Sequence, residues 1–84
     1  MTLQQQIRDF VTSNFYVADP NTLEDRTSLL DQGIIDSTGV LEVIMFIEST
    51  FGMTVEDSEM LPENLDSIER IAAFVARKQV PIAA

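Results

Sequence analysis

Apolar residues recur every three or four positions in three stretches of the chain, and each stretch predicts an amphipathic helix. The first helix is predicted over residues 2–15, where a T-x-x-Q spacing indicates a capping box. The second is predicted over residues 37–50, with Asp36 as its N-cap and Gly52 as its C-terminal stop. The third is predicted over residues 66–78.

The apolar stripes of the last two helices predict which side chains enter the core. The second helix has a broad stripe made of Val40, Leu41, Ile44, Met45, Ile47 and Phe51. The inner face of the last helix is expected to be Ile68, Ile71, Ala72 and Val75. Asp66 and Glu69 have the spacing of a capping box at its start, and Arg77 and Lys78 complement the helix dipole at its end.

A long connection over residues 16–36 separates the first two helices and contains the turn signal Asp19-Pro20-Asn21. Five apolar residues are expected to hold it against the core: Leu23, Leu29, Leu30, Ile34 and Ile35. Residues 53–66 are mixed in character and predict one brief helical turn. The expected fold is therefore all-α, a small four-helix bundle of three main helices and one short helix. We expect one domain over residues 1–84, with residues 80–84 as a frayed tail.

The composition restricts the chemistry that the chain can perform. The 84 residues include no cysteine and no histidine, which removes the thiolate nucleophile, the disulfide and the usual general base. No metal site and no catalytic site is expected. The N-terminus shows no signal-peptide pattern, and no apolar stretch approaches the ~20 residues of a membrane span. A soluble cytoplasmic protein is therefore expected, and we also expect a monomer.

The net charge of −9 is concentrated in the middle of the chain. No lysine or arginine occurs between Arg26 and Arg70, whereas ten acidic residues do: Asp31, Asp36, Glu42, Glu48, Glu56, Asp57, Glu59, Glu63, Asp66 and Glu69. Such a surface repels nucleic acid and attracts basic proteins. A basic protein partner is favoured over an acidic face that serves solubility alone.

Ser37 follows Asp36 directly at the predicted start of the second helix, and three roles for it are open. A structural role is the ordinary one, since both side chains can bind free backbone N–H groups there. A hydrolytic nucleophile is close to excluded, because no histidine is present and the nucleophile-elbow context is missing. A serine that carries a phosphate is the third role, because a helix N-terminus favours negative charge.

The stretch DQGIIDSTGVLEVIMFIE, residues 31–48, resembles the phosphopantetheine attachment region of acyl and peptidyl carrier proteins. The resemblance rests on Gly33-x-x-Asp36-Ser37, the aliphatic helix that follows, and Phe51-Gly52 downstream. It extends over nearly the whole chain in the order and size of the helices.

The resemblance implies that a phosphopantetheinyl transferase, using Mg²⁺, attaches 4'-phosphopantetheine from coenzyme A to Ser37. The thiol of that arm would hold an acyl or aminoacyl group for enzymes of fatty acid, polyketide or nonribosomal-peptide-type biosynthesis. The acids of the second helix would dock on basic patches of these loading ligases or synthases, and Asp36, Glu42 and Glu48 match that pattern.

Three positions of this chain depart from the pattern of the family. Gly39 stands where many carriers of fatty acid synthesis have an acid, and Thr38 where they have leucine. Phe46 replaces a small residue, so its ring is expected either to pack in the core or to reduce the space for cargo between the helices. Met45 and Met53 are expected to fill the core.

Two other functions compete with the carrier hypothesis. An acidic helical adaptor would bind a basic protein without ever being modified, and it would tolerate alanine in place of Ser37. A cation-binding protein has little support, because the acids lack the spacing of a calcium-binding loop.

Overall fold

The computed structural model describes residues 2–79, and within that part of the chain every regular element is helical. Four α-helices follow one another as α1 (Leu3–Asn14), α2 (Ser37–Phe51), α3 (Pro62–Leu65) and α4 (Ile68–Gln79). Two 3-10 turns, Pro20–Thr22 and Asp57–Glu59, lie in the connections. The predicted all-α bundle with a long first loop is confirmed, whereas the expected tail at 80–84 lies outside the described residues.

The ends of α1 and α2 follow the local signals in the sequence. The Thr2 hydroxyl accepts a hydrogen bond from the Gln5 backbone N–H at 3.1 Å, so the first half of the expected capping box forms. The Gln5 side chain donates to Asp9 instead of returning to the cap. At the end of α2, Gly52 has φ of 65°, the left-handed conformation that glycine adopts without strain.

The cap of α4 differs from the prediction by one residue. The Ser67 hydroxyl, not the Asp66 carboxylate, accepts from the Arg70 backbone N–H at 3.0 Å. Asp66 is engaged elsewhere, because its carboxylate accepts from the Ser28 hydroxyl at 2.6 Å and from the Leu30 N–H at 2.9 Å. The predicted Asp66–Glu69 capping box is therefore wrong, since a long-range contact occupies the side chain that local spacing assigned to the cap.

Buried apolar side chains from every α-helix, from the long loop and from the second connection form one core. It consists of Ile7, Val11, Leu23, Leu29, Ile35, Val43, Ile44, Ile47, Val55, Leu65, Ile68, Ile71, Ala72, Phe74 and Val75. The predicted inner face of α4 is confirmed, and the sequence analysis missed Phe74 and Val43.

Two members of the expected apolar stripe of α2 are exposed. Leu41 retains 55% and Met45 68% of their accessible surface. Each lies two positions before a buried residue, Val43 or Ile47, and two positions correspond to about 200° of rotation on a helix. The core therefore covers one side of α2, and the prediction that Leu41 and Met45 fill the core is wrong.

Polar contacts hold the long loop against α1 and α4. The Arg8 guanidinium donates to the Leu23 carbonyl at 2.7 Å and to the Asp25 carboxylate at 2.6 Å. The Asp25 carbonyl accepts from the Glu69 N–H at 2.8 Å. Together with buried Leu23, Leu29 and Ile35, these contacts explain how a connection of this length stays ordered. Ile34 is partly buried and also packs against the core, as predicted, whereas Leu30 is exposed and is not an anchor.

The end of α4 is tied to the second connection through Lys78. Its ammonium donates to the Thr54 carbonyl at 2.7 Å and to the Glu59 carboxylate at 2.6 Å. The hydrogen bond from Lys78 lowers the pKa of Glu59 below its usual value, and a bond from the Glu56 backbone N–H adds to the effect.

None of the helices in residues 2–79 combines the length and the apolar character needed to cross a bilayer.

Candidate functional site

Ser37 is the first residue of α2 and is exposed. The capping role that a serine could have had there belongs to Asp36, whose carboxylate accepts from the Gly39 N–H at 2.7 Å. The Asp36 carbonyl accepts from the Val40 N–H at 3.0 Å and begins the helical ladder. No hydrogen bond joins the Ser37 hydroxyl to any residue in the range 2–79. No contact within this range would therefore have to be broken before the hydroxyl reacts.

The backbone that leads to Ser37 is fixed from the core side. The Leu29 carbonyl accepts from both the Ile34 N–H, at 2.9 Å, and the Ile35 N–H, at 3.2 Å. Ile35 is buried, and Gly33 supplies the positive φ of 68° that the turn requires. Ser37 therefore begins a 15-residue helix and follows a loop that backbone hydrogen bonds and the buried Ile35 hold in place.

Gly39 allows the first turn of α2 to approach the end of α1 closely. A Cβ atom at this position would lie 2.9 Å from the Phe15 ring and 3.2 Å from the Ile35 side chain. Gly39 itself is buried. The acid that many carriers have here would displace the Phe15 ring, which gives a packing reason for the glycine that the sequence analysis noted as a departure.

An apolar groove of about 310 Å³ opens beside Ser37, between α2 and the segment that leads into α3. It is lined by Leu30, Ser37, Val40, Met60, Leu61, Pro62 and Leu65. Among the described residues that line the groove, Ser37 is the only polar one. The sequence analysis did not find the groove, because its walls come from the loop, α2 and the α3 region, which only the tertiary structure brings together.

Phe46 does not narrow this groove. Its ring faces α1 and stacks on the Phe10 ring, with centroids 4.1 Å apart and planes 14° from parallel. Phe51 packs edge-on against Phe46 at 5.8 Å. Of the two roles expected for Phe46, the structure shows packing between the helices, whereas the suggestion that the ring reduces the cargo space stays a prediction.

The two predicted docking acids have different surroundings. Glu42 is exposed on α2, and no cation lies within ion-pairing distance of it in the described part of the chain. Glu48 is half-buried, and its carboxylate accepts from the Val55 N–H at 2.9 Å. Glu42 is therefore free of ion pairs in the described residues, whereas Glu48 ties the end of α2 to the following loop.

The exposed Ser37 hydroxyl at the start of α2, beside an apolar groove, has the access that attachment of a group to it would require. Among residues 2–79, no three acidic, histidine or cysteine side chains are grouped in a way that could hold a metal ion.

Comparison with known proteins gives the family. The family model described as the phosphopantetheine attachment site matches residues 5–75, and the chain belongs to this family. Its members are carriers and not enzymes, and they bear covalently attached 4'-phosphopantetheine. The resemblance stated from residues 31–48 is thereby confirmed.

Relatives of two kinds are similar to this chain. A D-alanyl carrier protein of Abiotrophia defectiva is 31% identical over 51 residues, which span 61% of this chain and 65% of that protein, slightly less than two thirds of its length. An acyl carrier protein of Campylobacter hominis is 29% identical over 89% of this chain and 91% of its own length. A D-alanyl carrier protein of Streptococcus uberis is 29% identical over 94% and 98%, respectively.

The residues at the start of α2 fit the group that the family carries. A phosphodiester on the Ser37 oxygen would lie at the positive end of the α2 dipole, close to the first-turn N–H groups of Ser37 and Thr38. The groove beside Ser37 could accept the apolar parts of the arm or of its cargo. The arm would supply the thiol that the chain lacks.

Proposed function

We propose that this protein carries an acyl or aminoacyl group as a thioester on a 4'-phosphopantetheine arm attached to Ser37. The observation that carries the proposal is the exposed Ser37 hydroxyl, which has no hydrogen-bond partner in residues 2–79 and lies beside the apolar groove. Asp36 supports it by capping α2 in place of the serine. The carrier would present its cargo to enzymes of fatty acid, polyketide or nonribosomal-peptide-type biosynthesis in the cytoplasm.

The attachment step is a phosphoryl transfer. The Ser37 oxygen would attack the phosphorus that bears the pantetheine of coenzyme A, forming a P–O bond to the serine. The pyrophosphate P–O bond breaks, and 3',5'-ADP leaves with the electron pair. The transferase would accept the serine proton and use Mg²⁺ to stabilise the charge that develops on the phosphoryl oxygens.

Two cargo classes have support of different kinds. The groove favours an acyl chain, because all of its lining residues except Ser37 are apolar and burial of apolar surface contributes about 25 cal/mol per Å². The relatives named D-alanyl carrier proteins favour an aminoacyl group. A charged ammonium would gain nothing from the groove and would stay in solvent.

Partner enzymes would approach the exposed face of α2. This helix carries no lysine or arginine, and Glu42 is available on its surface, so basic patches on a transferase, ligase or synthase would be attracted. Asp36 and Glu48 can add to the negative potential, although both carboxylates already accept backbone hydrogen bonds. We expect the charges to act mainly on the rate of association.

The decisive experiment is an intact-mass measurement after incubation with coenzyme A, Mg²⁺ and a broad-specificity phosphopantetheinyl transferase. The parent chain is expected to gain one phosphopantetheine, and Ser37→Ala none. Ser13→Ala is the matched control, because Ser13 is an exposed serine on α1 that the proposal does not involve. It should be loaded like the parent.

Failure of this experiment has a clear meaning. If the parent remains unmodified with several transferases and is also isolated from its host without the arm, the carrier proposal is wrong. The acidic adaptor then becomes the better hypothesis. Loading of Ser37→Ala would instead show that another hydroxyl is the acceptor.

A further inference from the structure

A second surface depression lies between α1 and α2 and shares no residue with the groove beside Ser37. Its volume is about 380 Å³, and it is lined by Phe10, Asn14, Glu42, Met45, Phe46 and Ser49. It lies on the outside of the bundle. Nothing in the attachment of an arm to Ser37 requires it.

The floor of this depression is a rigid aromatic surface. Phe10 and Phe46 stack at 4.1 Å, and both rings are only partly buried. Each ring is supported by another one edge-on, Phe10 by Phe15 and Phe46 by Phe51, both at 5.8 Å. Because the rings are already held in place, a partner that covered them would not have to order them first.

The rim combines a flexible apolar side chain with one unpaired charge. Met45 has 68% of its surface exposed, and the exposed Leu41 lies one turn earlier on α2. Glu42 is on the same rim and has no ion-pair partner in the described residues. An aromatic floor, a methionine and an isolated carboxylate are suited to an apolar side chain that is accompanied by a cation.

The net negative charge of the chain favours some possible occupants of the depression over others. A second copy would bring a net charge of −9 towards an equal charge and would place Glu42 near other acids. An acyl cargo has no cation to pair with Glu42, and a small aminoacyl cargo would cover little of the aromatic floor. A basic partner enzyme meets neither obstacle, and Glu42 is only about 7.5 Å along the helix from Ser37.

We propose that the α1–α2 depression is a docking site for an element of a partner enzyme that presents an apolar side chain with an arginine or lysine one helical turn away. The apolar side chain covers the Phe10–Phe46 stack and Met45, and the cation pairs with Glu42. The site extends the contact surface of the carrier from α2 onto α1. This docking proposal deepens the proposed function by naming the chemistry of the partner. It rests on that function in one respect only, namely that the partner is an enzyme.

The test is an NMR titration of the ¹⁵N-labelled full chain with a stapled helical peptide. The peptide presents one leucine and, four positions later, one arginine on the same face, with neutral polar residues elsewhere. Two control peptides replace the leucine by alanine or the arginine by glutamine. We expect saturable shifts at the residues that line the depression, with clearly weaker binding of both control peptides.

Two protein variants separate the depression from the general negative charge. Asn14→Arg places a cation on the rim and is expected to weaken binding of the leucine–arginine peptide about tenfold, through like-charge repulsion. Ser13→Arg makes the same change in charge one residue away, at an exposed position that does not line the depression. It should bind the peptide nearly as tightly as the parent.

Several results would overturn the proposal: no saturable shifts at Phe10, Met45 and Phe46, shifts spread over all acidic surfaces, or equal losses in the two arginine variants. Shifts at these residues that depend on protein concentration without peptide would identify a second copy as the occupant. Ser37→Ala should bind the peptide like the parent. Failure of docking is therefore distinguishable from failure of arm attachment, which only the mass measurement reports.

Discussion

At the scale of single residues, the structure separates acids that the sequence could not distinguish. Glu42 and Glu48 lie on the same helix, yet Glu42 is exposed and Glu48 binds the Val55 N–H. Val55 is buried, so that N–H has little access to water once the carboxylate is removed. Glu48 therefore has a structural role whether or not it also contributes to docking.

We predict that Glu48→Ala lowers the free energy of unfolding by about 1–3 kcal/mol, the cost of an unsatisfied buried donor. Glu42→Ala, which loses no hydrogen bond in residues 2–79, should change it by no more than about 0.5 kcal/mol. Urea denaturation of both variants checks the difference. Equal and small effects would show that the Glu48–Val55 contact contributes nothing to stability.

At the scale of elements, the long first connection packs as part of the bundle. Hydrogen bonds from α4 and from the residues that precede α4 hold this connection in place. Asp66 alone makes three contacts with this loop: its carboxylate binds the Ser28 hydroxyl and the Leu30 N–H, and its carbonyl accepts from the Leu29 N–H at 2.7 Å. Leu29 in turn holds the two residues before Asp36 through its carbonyl. The site at Ser37 is thus positioned partly from the other end of the chain.

Removal of the Asp66 carboxylate should loosen this loop. We expect Asp66→Ala to destabilise the fold by about 2 kcal/mol, since two hydrogen bonds from a charged acceptor are lost. It should also increase hydrogen exchange at Leu30. Glu63→Ala is the control, because Glu63 is an exposed acid in the first turn of α3 whose side chain makes no hydrogen bond to the described residues.

Two outcomes would contradict this account of the loop. Unchanged exchange at Leu30 in Asp66→Ala would show that other contacts suffice to hold the connection. An equal loss of stability in Glu63→Ala would show that the effect is one of charge and not of the two hydrogen bonds.

At the scale of the whole molecule, negative charge exceeds what the internal ion pairs neutralise. The chain has 14 acidic and 5 basic residues, and residues 2–79 contain three ion pairs. All three involve acids outside α2: Asp25, Glu24 and Glu59. The face that would meet partner enzymes therefore stays negative, at the cost of self-repulsion in the folded state.

Salt should stabilise this protein. Raising the ionic strength from 0.01 to 0.15 M shortens the screening length from about 30 to about 8 Å, which weakens long-range repulsion more than close ion pairs. We expect a gain on the order of 1 kcal/mol, or a rise in Tm of about 4–8 °C for a domain of this size. Thermal unfolding at the two concentrations measures it.

A variant with fewer charges provides the control for the salt effect. The triple change Asp31→Asn, Asp57→Asn and Glu63→Gln removes three exposed acids and should reduce the response to salt. A fall in Tm with added salt, or an undiminished rise in the triple variant, would contradict the explanation by self-repulsion.

The sequence by itself determined the three main helices, the caps of α1 and α2, and the position of Ser37 at the start of α2. These features depend on local rules, namely the 3.6-residue period, the Asp36 cap and the Gly52 stop, which act between residues close together in the chain. The resemblance to carrier proteins over residues 31–48 also rests on residues that are close together in the chain. The match over residues 5–75 supports the same family.

Only the tertiary structure decided which sides of these helices are covered and which polar groups are already used. Leu41 and Met45 follow the apolar period of α2 but are exposed, because the other helices cover only its opposite side. Asp66 is drawn to the long loop, 36–38 residues away, so Ser67 caps α4 instead. The groove beside Ser37 and the α1–α2 depression arise from side chains distant in sequence, because packing, not local propensity, brings them together.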